Sequence, residues 1–231
     1  MTADPVLGRY AGQTIVIAAS GPSLAAADLE AVRGAACLPL VVVNNTWQRA
    51  PWADMLVAMD TAWWRQYGAQ AAAEFSGLRV GFTSTCTKFG AQASLYGHVV
   101  SNFGNSGAAA IAVAVRARAQ RVLLVGYDAS FDAGRMHWHA DHAAPLNNPQ
   151  ASVHRWPAQF GRVAEHARKH GVAIINCSRR TALECFDRLP LEEALRLALS
   201  SGFSTSETSG GAMPSPPPPG QATPAAASRA A

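Results

Sequence analysis

Thr14-Ile-Val-Ile-Ala-Ala-Ser-Gly-Pro-Ser-Leu24 decides the fold. Its β-branched run, Thr14 to Ala19, is too short and too continuous for an amphipathic helix and reads as a buried strand. Ser20-Gly21-Pro22-Ser23 then breaks the chain, and Leu24 to Val32 has helical spacing, so the segment is strand, tight loop, helix. The same grammar repeats outward from it. Leu38 to Val43 is a second apolar strand ending in Asn44-Asn45, Asp54 to Met59 a third ending in Asp60, and Leu78 to Phe82 a weaker fourth. Helical pattern fills Thr61 to Phe75. A further helix starts at Asn105-Ser106 and runs through Val115, followed by the strand Arg121 to Gly126 that ends in Tyr127-Asp128. Val153 to His170 is predicted as a helix, Val172 to Asn176 as a strand, and Leu191 to Ser200 as a closing helix.

Continuous apolar strands alternating with helices imply a mostly parallel sheet with helices on both faces, the α/β class with a single Rossmann-like domain. Of the 231 residues, the 29 from Phe203 onward hold six of the 14 prolines and only Glu207 and Arg229 as charges. The expectation is a folded domain over 1–200 and a disordered Pro/Ala/Ser-rich tail over 201–231.

The net charge of +4 comes from 17 Arg and two Lys, scattered rather than in a stripe, which suits an acidic small molecule and argues against nucleic acid as a partner. Cys37, Cys86, Cys177 and Cys185 have no C-x-x-C spacing and sit in apolar or small-residue surroundings, so they are read as buried free thiols in a reducing compartment. With no signal peptide and no apolar run long enough to span a bilayer, the expected location is the cytoplasm. The pattern leaves a homo-oligomer open.

In parallel sheets ligands sit beyond the carboxyl ends of the strands, which makes the polar residues there the first candidates. Ser20, Gly21, Pro22 and Ser23 form a small, glycine-bearing loop before a helix, able to turn backbone N–H groups toward an anion; a plain turn with a serine cap fits equally. Gly104-Asn105-Ser106-Gly107 is a second such loop, again open to reading as a helix cap. Neither carries the lysine of a P-loop nor the full G-x-G-x-x-G pattern. Trp47, Trp52, Trp63 and Trp64 cluster after the second and third strands, and because adjacent helical positions diverge, one of Trp63 and Trp64 is expected to be partly exposed. Arg179 and Arg180, past the Asn176 strand, either grip an anion or lie solvated at a helix start.

Taken together these residues resemble the family-42 sialyltransferases and the related DUF115 proteins, which include pterin pyrophosphokinases of the MptE type. The Ile15 to Leu24 segment resembles their opening strand and G-P-S-L loop. Asn45 falls where the sialyltransferases have asparagine after the second strand, and Asp60 where they have asparagine after the third. Asn105-Ser106-Gly107, an Ala-rich helix and Val122-Leu-Leu-Val-Gly-Tyr-Asp128 resemble their T-S-G, helix, strand and G-x-D array. Many phage-encoded proteins look similar, which implies a host-cytoplasm setting. The resemblance implies a CMP-sugar site built from Ser20 to Ser23, Asn45, Asp60, Asn105 to Gly107, Gly126 and Asp128, and a metal-independent transfer. The family's histidine base before the penultimate helix is matched in spacing by His154, with His142 as substitute; a histidine titrates close enough to neutrality to deprotonate an acceptor hydroxyl. The loop from Ala129 to Asn148 does not match the family's lid.

That loop contains His137-Trp-His139-Ala-Asp141-His142, the H-x-H-x-D-H string of two-metal hydrolases, whose remaining ligands have too little chain downstream here. A lone metal site on His137, His139, Asp141 and His142, acid–base use of His139 and His142, or a loop that merely packs Trp138 are the alternatives. Three functions follow: a glycosyltransferase-like enzyme using a nucleotide-sugar and an unidentified acceptor; a Mg²⁺-dependent diphosphotransferase with Asp60 and Asp128 as the metal's carboxylates; or a non-catalytic nucleotide-binding phage protein.

Overall fold

The computed structural model describes residues 4–93, 103–140, 146 and 152–202. Asp141, His142 and the tail beyond 202 lie outside these residues, so the expectations placed on them are not addressed by the structure.

Eight described strands form one sheet: β1 (Thr14–Ala18), β2 (Leu40–Val43), β3 (Met55–Val57), β4 (Leu78–Gly81), β5 (Gln92–Ala93), β6 (Arg121–Val125), β7 (Ala173–Asn176) and β8 (Asp187–Arg188). Their order is β5-β4-β3-β2-β1-β6-β7-β8. Every pairing is parallel. The chain winds outward from β1 to β5, then returns to the other side of β1 with β6, so the crevice between β1 and β6 is the topological switch point. Ala18 pairs Val125 there. The α/β architecture follows the sequence expectation. The two-residue strands β5 and β8 at the sheet's edges escaped it, because two residues carry no periodicity.

Alternation along the strands feeds two cores. Ile15, Ile17, Val41, Val43, Val122 and Leu124 pack with α4 (Ser106–Arg116) and α5 (Trp156–Lys169). Val16, Ala18, Leu40, Val42, Leu123 and Val125 pack with α1 (Ala26–Gly34), α2 (Thr61–Glu74) and α6 (Leu191–Gly202). A short helix, α3 (Ser84–Thr87), precedes β5. α4 is buried from Ala108 to Val115, and its alanines let the sheet and α5 close on both sides of it. The helix predicted over 153–170 divides into a 3-10 turn at Val153–Arg155 and α5, whose first turn holds Pro157.

Trp63 and Trp64 are both buried, at 2% and 0% exposure, which corrects the expectation that one would be exposed. The start of α2 is covered twice. Trp64 Nε1 donates to Ala58 O at 3.0 Å on the sheet side, while Trp63 Nε1 donates to Asn45 Oδ1 at 2.6 Å in the 3-10 turn Asn44–Gln48.

Candidate functional site

At the switch point lies a cavity of about 400 Å³, walled by Ser20 and Gly21 after β1, Asn44 after β2, Asp60 after β3, Gly104 to Gly107 at the start of α4, and Gly126 and Tyr127 after β6. His137, Met136, Trp156 and Phe160 close its outer side.

The Gly-Pro-Ser loop is held from within. Gly21 N donates to Gly126 O at 2.9 Å, Leu24 N to Gly21 O at 3.1 Å, and Pro22 has no N–H. Ser23 gives its N–H to Asp128 Oδ2 at 2.8 Å and its hydroxyl to Asp128 Oδ1 at 2.7 Å. A Cβ at Gly21 would fall on Asp128 Oδ1 and Gly126 O, so glycine is required for this contact. Every amide from Gly21 to Leu24 is therefore spent, and Pro22, Ser23 and Asp128 do not line the cavity. The phosphate-loop expectation is corrected: the loop is a clamp closed by Asp128. Burial pushes the Asp128 carboxyl up, against the opposing pull of the Ser23 hydrogen bonds. The start of α1 is filled in the same way, since Asp28 Oδ2 accepts from Ala25 N at 2.9 Å and the Asp28 carboxylate pairs with Arg179.

The other loop behaves differently. Asn105 caps α4, accepting from Ala108 N and donating to Gln159 Oε1, each at 2.8 Å. Ser106 Oγ accepts from Met59 N at 3.1 Å. Ser106 and Gly107, the first two residues of α4, line the cavity, and their N–H groups have no acceptor within the helix. Gly104 has φ +79°, a conformation that suits glycine.

Asn45 is absorbed by Trp63 and does not reach the cavity. Its neighbour Asn44 does: it takes φ +48°, and its Oδ1 is buried with no hydrogen-bond partner in the protein. Asp60 lines the cavity at the start of α2, its carboxyl raised by burial and partly restrained by the Ser106 hydroxyl.

The 129–140 loop folds back over the clamp. Trp138 N donates to Ser20 O at 3.0 Å, and the Arg49 guanidinium lies 3.8 Å from the Trp138 ring centre while donating to Leu24 O at 3.0 Å. His137 Nδ1 sits 3.0 Å from Ser20 Oγ. His154, by contrast, is exposed in its 3-10 turn and lines no part of the cavity. The structure places His137, not His154, at the site.

His137 and His139 stack at 4.8 Å with planes 10° apart, and His139 Nδ1 donates to Ala140 O. Among the described residues no three His, Cys, Asp or Glu side chains gather to hold a metal; Asp141 and His142, the rest of the string, lie outside them. Arg179 and Arg180 bind protein carboxylates, Asp28 and Asp132. Among the described residues, no Lys or Arg lines the cavity. Residues 94–102 and 141–151 contain neither.

No family model matches the sequence, and no curated protein matches it. Among solved structures, the chain resembles the MAf glycosyltransferase from Magnetospirillum magneticum AMB-1, at TM-score 0.55 and 13% identity, over 84% of this chain and 38% of that one. The chain thus spans well under half of that protein's length, and the likeness is one of fold: a Rossmann-like α/β sheet. Among the described residues, no helix is long and apolar enough to cross a membrane.

Proposed function

We propose that the chain is a glycosyltransferase-like enzyme whose switch-point cavity holds a nucleotide-sugar donor of the single-phosphate kind, as in a CMP-sugar, for transfer to an acceptor hydroxyl. The observation that carries this reading is the cavity's charge inventory. Two helix N-termini, those of α4 and α2, each equivalent to roughly half a positive charge, face it, with the Asp60 carboxyl at the second and no Lys or Arg beside either among the described residues. That suits the single negative charge of a phosphodiester better than a triphosphate, which proteins commonly meet with cationic side chains or Mg²⁺. The unpaired Asn44 Oδ1 and the Asp60 carboxylate, both acceptors, suit ribose hydroxyls or an amino group on the base. A glycosyltransferase as structural neighbour and the resemblance to family-42 sialyltransferases point the same way.

The diphosphotransferase reading places Mg²⁺ between Asp60 and Asp128. The residues fit it poorly: Asp128 gives both oxygens to Ser23, leaving Asp60 alone at the cavity. Incubating the protein with a panel of CMP-sugars in EDTA and following CMP release tests the proposal. Release that survives EDTA supports it; release of AMP from ATP, only with Mg²⁺ and a hydroxylated acceptor, favours the diphosphotransferase.

A further inference from the structure

We propose that Ser20 is a nucleophile activated by His137, which gives this cavity an ester-cleaving, acyl-transfer capacity beyond sugar transfer. Ser20 follows the central strand β1, is 9% exposed and lines the cavity. Its Oγ lies 3.0 Å from His137 Nδ1, within the range expected of a nucleophile and its base. The pair is braced on both sides. Trp138 N donates to Ser20 O, so the residue after the base is tied to the backbone of the nucleophile, and His139 stacks on the His137 ring. The first-turn residues of α4, Ser106 and Gly107, line the same cavity, where an oxyanion would gain from the helix dipole. Met136, Leu146, Trp156 and Phe160 give the cavity an apolar side that suits a short acyl or aromatic group.

The chemistry closes without further reactants than an ester and water. Ser20 Oγ–H gives its proton to His137 Nδ1 as Oγ bonds to the ester carbonyl carbon. The tetrahedral oxyanion collapses, the bond to the alcohol oxygen breaks, and the departing alcohol takes the proton from His137. Water then repeats the two steps on the acyl-serine, releasing the carboxylic acid and restoring Ser20.

A fluorophosphonate probe, which phosphonylates base-activated serines with loss of fluoride, tests this on the full chain, with the adduct mapped by peptide mass spectrometry. The expected result is an adduct on the Ser20 peptide, absent in Ser20→Ala and formed at least about 100-fold more slowly in His137→Gln, with both variants still melting cooperatively. An unlabelled Ser20, or His137→Gln labelled at the wild-type rate, overturns the proposal. Thermal stabilisation of the same samples by CMP reports on the sugar-transfer reading separately, so either can fail alone.

Discussion

Ser23 and Asp128, 105 residues apart, are joined by two hydrogen bonds of 2.7 and 2.8 Å that tie the loop after β1 to the loop after β6. Asp128 is buried and supplies two acceptors to two donors, and no other residue type of that size does so. Asp128→Asn replaces one acceptor with a donor facing Ser23. The expected cost is about 1–3 kcal/mol of stability, read as a lower urea midpoint at unchanged m. An unchanged midpoint would show that the clamp contributes nothing.

Asn45 is a packing residue and not a ligand contact. Asn45→Leu removes the acceptor of Trp63 Nε1 and leaves that N–H buried, at an expected cost of about 1–3 kcal/mol. Nucleotide affinity should hold in the folded fraction. At Asn44 the pattern inverts: Asn44→Gly keeps the positive φ, removes the unpaired Oδ1, and should weaken binding with little loss of stability. Melting curves with and without CMP separate the two.

Burial raises the Asp60 carboxyl, so the folded protein holds a proton at a pH where the unfolded chain has released it. Stability from this group is therefore full below the ordinary carboxylate value of about 3.9 and is lost as pH rises through the raised folded value. Asp60→Asn should then be more stable than wild type near pH 7 and show no such gain near pH 3.5. Urea midpoints at the two values check it; an equal difference at both would contradict the assignment.

Cysteine reactivity should follow exposure. Cys86 and Cys177 are buried as the sequence predicts, but Cys37 and Cys185 are exposed, which corrects the expectation of four buried thiols; burial pushes the Cys177 thiol up to about 12. A thiol reagent at pH 8 should modify Cys37 first, and Cys86 and Cys177 only after unfolding. Early modification of Cys177 would contradict its burial.

Much of this was legible in the sequence. Thr14 to Ala19, Leu38 to Val43 and Arg121 to Gly126 are apolar runs whose burial on two faces leaves no other element type, and the polar residues after them mark the switch point. Which of those residues faces the cavity was not legible. Asn44 and Asn45 are adjacent in a 3-10 turn and diverge, so only the position of Trp63 settles that Asn45 is consumed. Ser20-Gly-Pro-Ser reads as an anion loop until Asp128, a hundred residues on, is seen to take its donors. The resemblance points to His154, whereas the structure brings His137 to the cavity, because the path of the 129–140 loop is set by Arg49 on Trp138 and by Trp138 on Ser20, contacts that no local pattern encodes.

The central claim is that the switch-point cavity binds a nucleotide with one phosphate and needs no metal. Its most direct measurement is the melting temperature with CMP, CDP, UDP, GDP, ADP and ATP, each in EDTA and in Mg²⁺, since a ligand of the native state alone must raise it. The account predicts stabilisation by CMP in EDTA, undiminished relative to Mg²⁺ and lost in Asn44→Gly; stabilisation by ATP only with Mg²⁺, or by no nucleotide under either condition, would contradict it.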